Sequence, residues 1–91
     1  MPVNVRIPPI LRETTGGERA VQSSGPTVAA VLEEIDSKHP GFRDRLFSDD
    51  GELRRFVNIY VNDEDIRYLE QLNTPVRDGD TVSILPAVAG G

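Results

Sequence analysis

The sequence ends Pro86-Ala87-Val88-Ala89-Gly90-Gly91, six residues with no charge and no large side chain. Extended, they reach about 20 Å beyond whatever precedes them. Two readings of such an end stand open. A glycine-rich terminus is often simply frayed. Alternatively the terminus is itself the reactive group. An α-carboxylate with a pKa of about 3.3–3.7 is an anion at neutral pH; it repels nucleophiles and has no good leaving group, so it reacts only after activation. A terminus delivered into another protein's cleft must also be narrow, and consecutive glycines remove side-chain bulk and permit any backbone angle needed there. The chain has no cysteine, so it cannot hold a side-chain persulfide. Any sulfur it carries covalently has one natural home, the carbonyl carbon of Gly91.

Other residues offer less chemistry. His39, the single histidine, stands before Pro40 at an expected helix end, where a side chain near the negative end of the helix dipole is a structural feature, and no catalytic base is evident. Asp63-Glu64-Asp65 lacks the glycine and distal glutamate of a calcium loop and reads as a solvated turn, so no metal site is expected. Gly16-Gly17 lacks the lysine and hydroxyl residue of a phosphate loop and reads as a turn.

The elements that must position the terminus follow from periodicity. Val3, Val5 and Ile7 alternate with Asn4 and Arg6 as in a half-buried strand, which Pro8 and Pro9 end. A returning strand over 18–23, around Val21, follows Gly16-Gly17. Gly25-Pro26-Thr27 begins a helix, with the Thr27 hydroxyl placed to accept from a first-turn amide; Val28, Val31, Leu32 and Ile35 form its apolar stripe, and Pro40-Gly41 stops it near His39. Phe42, Leu46 and Phe47 plug one end of the core. The β-branched and aromatic run 56–61 is a central strand facing inward through Val57, Ile59 and Val61, which turns Phe56 and Tyr60 outward toward a partner, the alternative being that Phe56 lies near the strand edge and is covered by the segment 42–54. A tight turn at 62–65 follows, then a short strand plus an irregular or single-turn segment over 66–72, and an Asp78-Gly79-Asp80 turn feeding a last strand over 81–85. This order specifies an α+β fold with a mixed sheet on one main helix, which a β-grasp roll satisfies, its first and last strands side by side.

Ninety-one residues, 37% apolar and 27% charged, make one small folded domain. The net charge of −5 and a pI near 4.7 oppose nucleic-acid binding, and the acidic surface suits either solubility or a basic partner. Neither a signal peptide nor a membrane span is apparent, which leaves the cytoplasm as the expected location.

Asp78-Gly79-Asp80, Ile84-Leu85-Pro86 and Ala87-Val88-Ala89-Gly90-Gly91 resemble the end of the ubiquitin-like sulfur carriers of the MoaD and ThiS type, and the resemblance covers essentially the whole chain. Phe56-Val57-Asn58-Ile59-Tyr60-Val61-Asn62-Asp63-Glu64-Asp65 and the segment 85–91 are similar in particular to the thiocarboxylate carriers of cysteine biosynthesis. The resemblance implies a ubiquitin-like β-grasp domain over 1–85, a flexible tail over 86–91, and a carrier and co-substrate in place of an enzyme. An E1-like adenylyltransferase and sulfurtransferase using MgATP would adenylate Gly91, and a sulfur donor would convert it to a thiocarboxylate. A pyridoxal-phosphate-dependent cysteine synthase would receive the sulfur, and a zinc peptidase would release cysteine. No cofactor would be bound by the carrier. Gly90, Ala89, Val88, Ala87, Pro86 and Leu85 would form the recognised tail, and Phe56 and Tyr60 a partner surface. Leu85 stands where the MoaD branch has a large aromatic. Sulfur supply to molybdopterin or a thiosugar, protein modification through the same glycine, and a non-covalent ubiquitin-like interaction domain are the alternatives.

Overall fold

The computed structural model describes residues 2–54 and 57–86. Its first strand, β1 (Val3–Arg6), buries Val3 and Val5 and leaves Arg6 exposed, as alternation requires. Proline has no N–H to give a ladder, and after Pro8 the chain makes a single 3-10 turn over Pro9–Leu11. Gly16 and Gly17 then take left-handed φ values of 66° and 88°, and β2 (Ala20–Ser23) returns antiparallel to β1, from Arg6↔Ala20 to Val3↔Ser23. The expected hairpin is present, its second strand beginning at Ala20.

The helix α1 (Val28–Lys38) starts where the Thr27 hydroxyl accepts a hydrogen bond from the Ala30 amide at 3.3 Å. Gly25 is needed just before it, because a Cβ there would sit 2.8 Å from the Ala30 Cβ and 3.0 Å from the α1 backbone. Val28, Val31, Leu32 and Ile35 are all buried, so the predicted stripe is the face that meets the sheet. His39 closes the helix, its backbone amide donating to the Ile35 carbonyl at 2.8 Å. The buried Ser23 hydroxyl lies 3.0 Å from the Val31 carbonyl and 2.7 Å from Glu34 Oε1, which ties β2 to α1. A short helix α2 (Phe42–Leu46) buries Phe42 and Leu46 completely, and Phe47 is buried just beyond it.

The last three strands are β3 (Val57–Val61), β4 (Glu64–Asp65) and β5 (Thr81–Pro86). The sheet order is β2-β1-β5-β3-β4, with β5 parallel to β1 and antiparallel to β3. The first and last strands therefore lie side by side, and the fold is a ubiquitin-like mixed five-stranded sheet on one main helix. Val57, Ile59 and Val61 face inward as expected. One segment departs from expectation. The short strand precedes residue 66, and the stretch expected to hold it contains two 3-10 turns, Ile66–Tyr68 and Gln71–Asn73. The cause is local: Asn62 and Asp63 take left-handed φ values of 49° and 74°, a two-residue turn whose twist lets pairing resume at once at Glu64. The Asp65 carboxylate then accepts from the Arg67 amide at 2.9 Å, which caps the next turn and ends the pairing. β5 also runs one residue beyond the expected strand end, Pro86 pairing with Val57. No helix among the described residues is long and apolar enough to cross a membrane.

Candidate functional site

β5 leads to the chain end, so whatever fixes β5 aims the tail. At its start the Asp78-Gly79-Asp80 turn uses a left-handed Gly79, φ 90°, and the Asp80 carboxylate accepts from the Arg77 amide at 2.8 Å and from Asn62 Nδ2 at 2.9 Å. Asn62 Oδ1 in turn accepts from the Thr81 amide at 2.9 Å, and the Asn4 amide donates to the Asp80 carbonyl at 3.0 Å. The turn is thus pinned to both β1 and the β3–β4 hairpin. These bonds hold the Asp80 carboxyl below its ordinary range, the Asn62 amide first and the Arg77 amide second.

At the other end of β5, Leu85 stands opposite Asn58 and is 46% exposed. Of the predicted site, Leu85, Tyr60 and the Pro86 backbone are placed. The expectations for Phe56 and for Ala87, Val88, Ala89, Gly90 and Gly91 lie outside the described residues. Tyr60 is half-buried on the outer face of the sheet, opposite Ser83 on β5 and Asp65 on β4. Ser83 is opposite Arg6 on β1, and Arg6 is opposite Ala20 on β2. One row therefore crosses the sheet as Ala20, Arg6, Ser83, Tyr60, Asp65, with the small Ser83 side chain as the floor between an arginine and a tyrosine.

The row's first four residues, Ala20 to Tyr60, belong to an open cleft of about 600 Å³ also lined by Arg12, Arg19 and Leu85, among others. Arg12 is held in place by donating from Nε to the Ile7 carbonyl at 3.2 Å. The arginines were not legible as a site. Alternation turns Arg6 outward, but only the β1-β5-β3 order puts it on the row of Tyr60, while Arg12 and Arg19 come from the connection and from the lead into β2.

The acidic run expected to be a solvated turn is divided in the structure. Asp63 and Glu64 are exposed. Asp65 is buried and engages Arg67, with Nη2 and Nε donating to Oδ2 at 2.9 Å and 3.2 Å. The guanidinium holds the Asp65 carboxyl below its ordinary range, and Asp65 raises Arg67 in return. His39 serves the end of α1, at the position read for it.

The ThiS family model matches residues 5–91. Sulfur carrier protein CysO of Mycobacterium tuberculosis is 53% identical over 93 residues, covering the full length of both chains. The crystal structure of that CysO has a TM-score of 0.90 at 50% identity, covering 94% of this chain and 99% of its own. A chain of the Amycolatopsis orientalis BexX/CysO complex has a TM-score of 0.89 at 50% identity, over 98% of this chain and 99% of that one. Small archaeal modifier protein 3 of Haloferax volcanii is 38% identical over 65 residues, 71% of this chain and 70% of its own. With a family model matching residues 5–91 and full-length relatives that share both sequence and fold, the chain belongs to the ThiS family of ubiquitin-like proteins.

Proposed function

We propose that the chain is a sulfur carrier for cysteine biosynthesis and acts through Gly91. The observation that carries this reading is its 53% identity, over the entire length, with CysO sulfur carrier proteins. The carrier is a co-substrate and the catalysis belongs to its partners. An E1-like enzyme with MgATP joins the Gly91 carboxylate to AMP and releases pyrophosphate. Hydrosulfide sulfur, delivered by a donor, then attacks the acyl carbon; the C–O bond to AMP breaks and a thiocarboxylate remains. That sulfur is the nucleophile for a pyridoxal-phosphate-dependent cysteine synthase, and a zinc peptidase frees the product, all in the cytoplasm. β5 brings the chain to Pro86, and the five residues beyond it span at most about 17 Å. That length suits a narrow arm entering an enzyme cleft, with Leu85, Pro86, Ala87, Val88, Ala89 and Gly90 recognised along the way. The relative crystallised as a BexX/CysO complex supports protein partners of this kind.

Incubation with the E1-like enzyme, MgATP and sulfide tests the reading by intact-mass spectrometry. The expected product carries one sulfur in place of one oxygen at the terminus; wild-type protein that never gains sulfur with a competent enzyme would refute it. A second reading, protein modification through the same activated glycine, draws on the likeness to small archaeal modifier protein 3. It predicts isopeptide-linked conjugates in lysate in place of free thiocarboxylate.

A further inference from the structure

The outer sheet face gathers positive charge on a protein that is otherwise strongly acidic. Arg6, Arg12 and Arg19 line the cleft beside Leu85 against one carboxylate, Asp63, in a chain of net charge −5. Among the described residues the ion pairs are Lys38–Glu34, Arg45–Glu13 and Arg67–Asp65. The three cleft arginines are in none of them. Arg6 and Arg19 are exposed, whereas Arg12 is half-buried and fixed by the Ile7 carbonyl. Guanidinium groups with no carboxylate partner among the described residues, around a floor as small as Ser83, leave room for carboxylate side chains to enter from outside, and a guanidinium fork matches a carboxylate in two-bond geometry.

We propose that this cleft is the docking surface for an acidic patch on the E1-like enzyme that receives the tail. The inference rests on the sulfur-carrier reading and adds to it the charge of the partner face. Two observations carry it. The first is charge complementarity: on a chain of net charge −5, three arginines against one carboxylate make this cleft a face that attracts an acidic patch, so the arginines bias the orientation of the encounter as well as its rate. The second is position. The cleft is lined by Leu85 itself, the residue before the last paired one, so a partner seated there lies within the reach of Gly91. Tyr60 and Leu85 supply apolar contact beside the charges.

The test measures KM for the carrier and kcat in ATP–pyrophosphate exchange with the E1-like enzyme, at low and high salt. It compares wild type with Arg6→Glu/Arg19→Glu and with the control Arg45→Glu, whose side chain lies outside the cleft. Thermal melting checks that each variant is folded. The expected result is a KM raised about tenfold or more in the double variant, with kcat within about two-fold of wild type and the salt dependence of KM reversed in sign, because charge reversal turns a screened attraction into a screened repulsion. Arg45→Glu keeps the wild-type KM. An unchanged KM with unchanged salt dependence in the folded double variant would overturn the docking surface and leave the sulfur-carrier reading standing, since tail thiocarboxylation would continue. A wild-type dimer in sedimentation that the double variant loses, with KM unaltered, would overturn it in favour of a second copy of this chain. Wild-type protein that is never adenylated would remove the carrier reading and this inference together.

Discussion

The Asn62 side chain donates to the Asp80 carboxylate across 2.9 Å and 18 residues of sequence, while its own Oδ1 receives the Thr81 amide. A single amide thus joins the hairpin turn between β3 and β4 to the turn that launches β5. Asn62 also suits its left-handed φ of 49°, which alanine adopts less readily. Asn62→Ala is expected to cost about 1–2 kcal/mol, the two lost hydrogen bonds and the backbone strain together. An unchanged urea midpoint would show that the turns are not coupled through this residue.

Acid should weaken the fold through the same turn. Asp80 is held below its ordinary range by Asn62 and Arg77, Asp65 by Arg67, and Glu34 by the Ser23 hydroxyl and then Lys38. Because the folded values are depressed, this stability is fully present above the unfolded values of about 4 and is lost as pH falls through the folded ones. The urea midpoint should therefore be flat from about pH 8 to 6 and decline below about pH 4. Asp80→Asn should start less stable and lose less on acidification. A decline as steep as that of wild type would remove Asp80 from the acid response.

Gly25 gives a steric prediction. A Cβ at this position meets Ala30 Cβ at 2.8 Å and backbone atoms of Ala30 and Val31 at 3.0 Å. Backbone of a helix that fills the core cannot retreat, so Gly25→Ala should destabilise by about 1–3 kcal/mol, as overpacking does. Thr27→Ala, which removes only the cap on Ala30, should cost about 1 kcal/mol. Equal stabilities for wild type and Gly25→Ala would mean that the approach of 25 to α1 is looser than drawn.

What the sequence disclosed tracks how local each determinant is. The stripe Val28, Val31, Leu32, Ile35 and the alternation of Val57, Ile59 and Val61 are contained within single elements, and both faces are oriented as read. The placement of β4 depended on two non-glycine residues adopting left-handed φ, and the neighbouring residue types signalled only a turn, so the strand was expected too late. The arginine cleft was the least legible part. Arg6, Arg12 and Arg19 meet through the β1–β2 hairpin, but only the parallel β1–β5 pairing, a long-range event with no local pattern, sets them beside Ser83 and Leu85. The reading of the tail rests on the opposite kind of signal, consecutive residues at the chain end, and falls outside the described residues.

Tyr60 separates surface from core. It is half-buried, flanked across the strands by Ser83 and Asp65, with its neighbours Ile59 and Val61 facing the other way. Tyr60→Ser should raise the KM for the activating enzyme several-fold, roughly the effect of losing one aromatic contact at an interface, while lowering Tm by no more than a few degrees. A large fall in Tm with unaltered binding would assign the ring to packing instead of to a partner.

The sharpest prediction concerns length at the chain end. If Gly91 is the sulfur-bearing residue, deleting it shortens the arm beyond Pro86, and adding one residue after it carries the carboxylate past the bound nucleotide. Reacting groups must be held in near-attack geometry, where misplacement of about 1 Å costs about 100-fold, and either change moves the carboxylate by about 3 Å. Both variants should therefore lose thiocarboxylate formation in intact-mass spectra by more than about 100-fold. Neither touches the buried side chains of β1, β3, β5 and α1 that form the core, so circular dichroism and Tm should match wild type. The readouts separate the causes: lost sulfur transfer with lost folding would indict the domain, whereas lost transfer in a fully folded protein locates the chemistry at the terminus. A protein lacking both Gly90 and Gly91 that still accepts sulfur at the native rate would place the reactive group elsewhere and end the carrier reading.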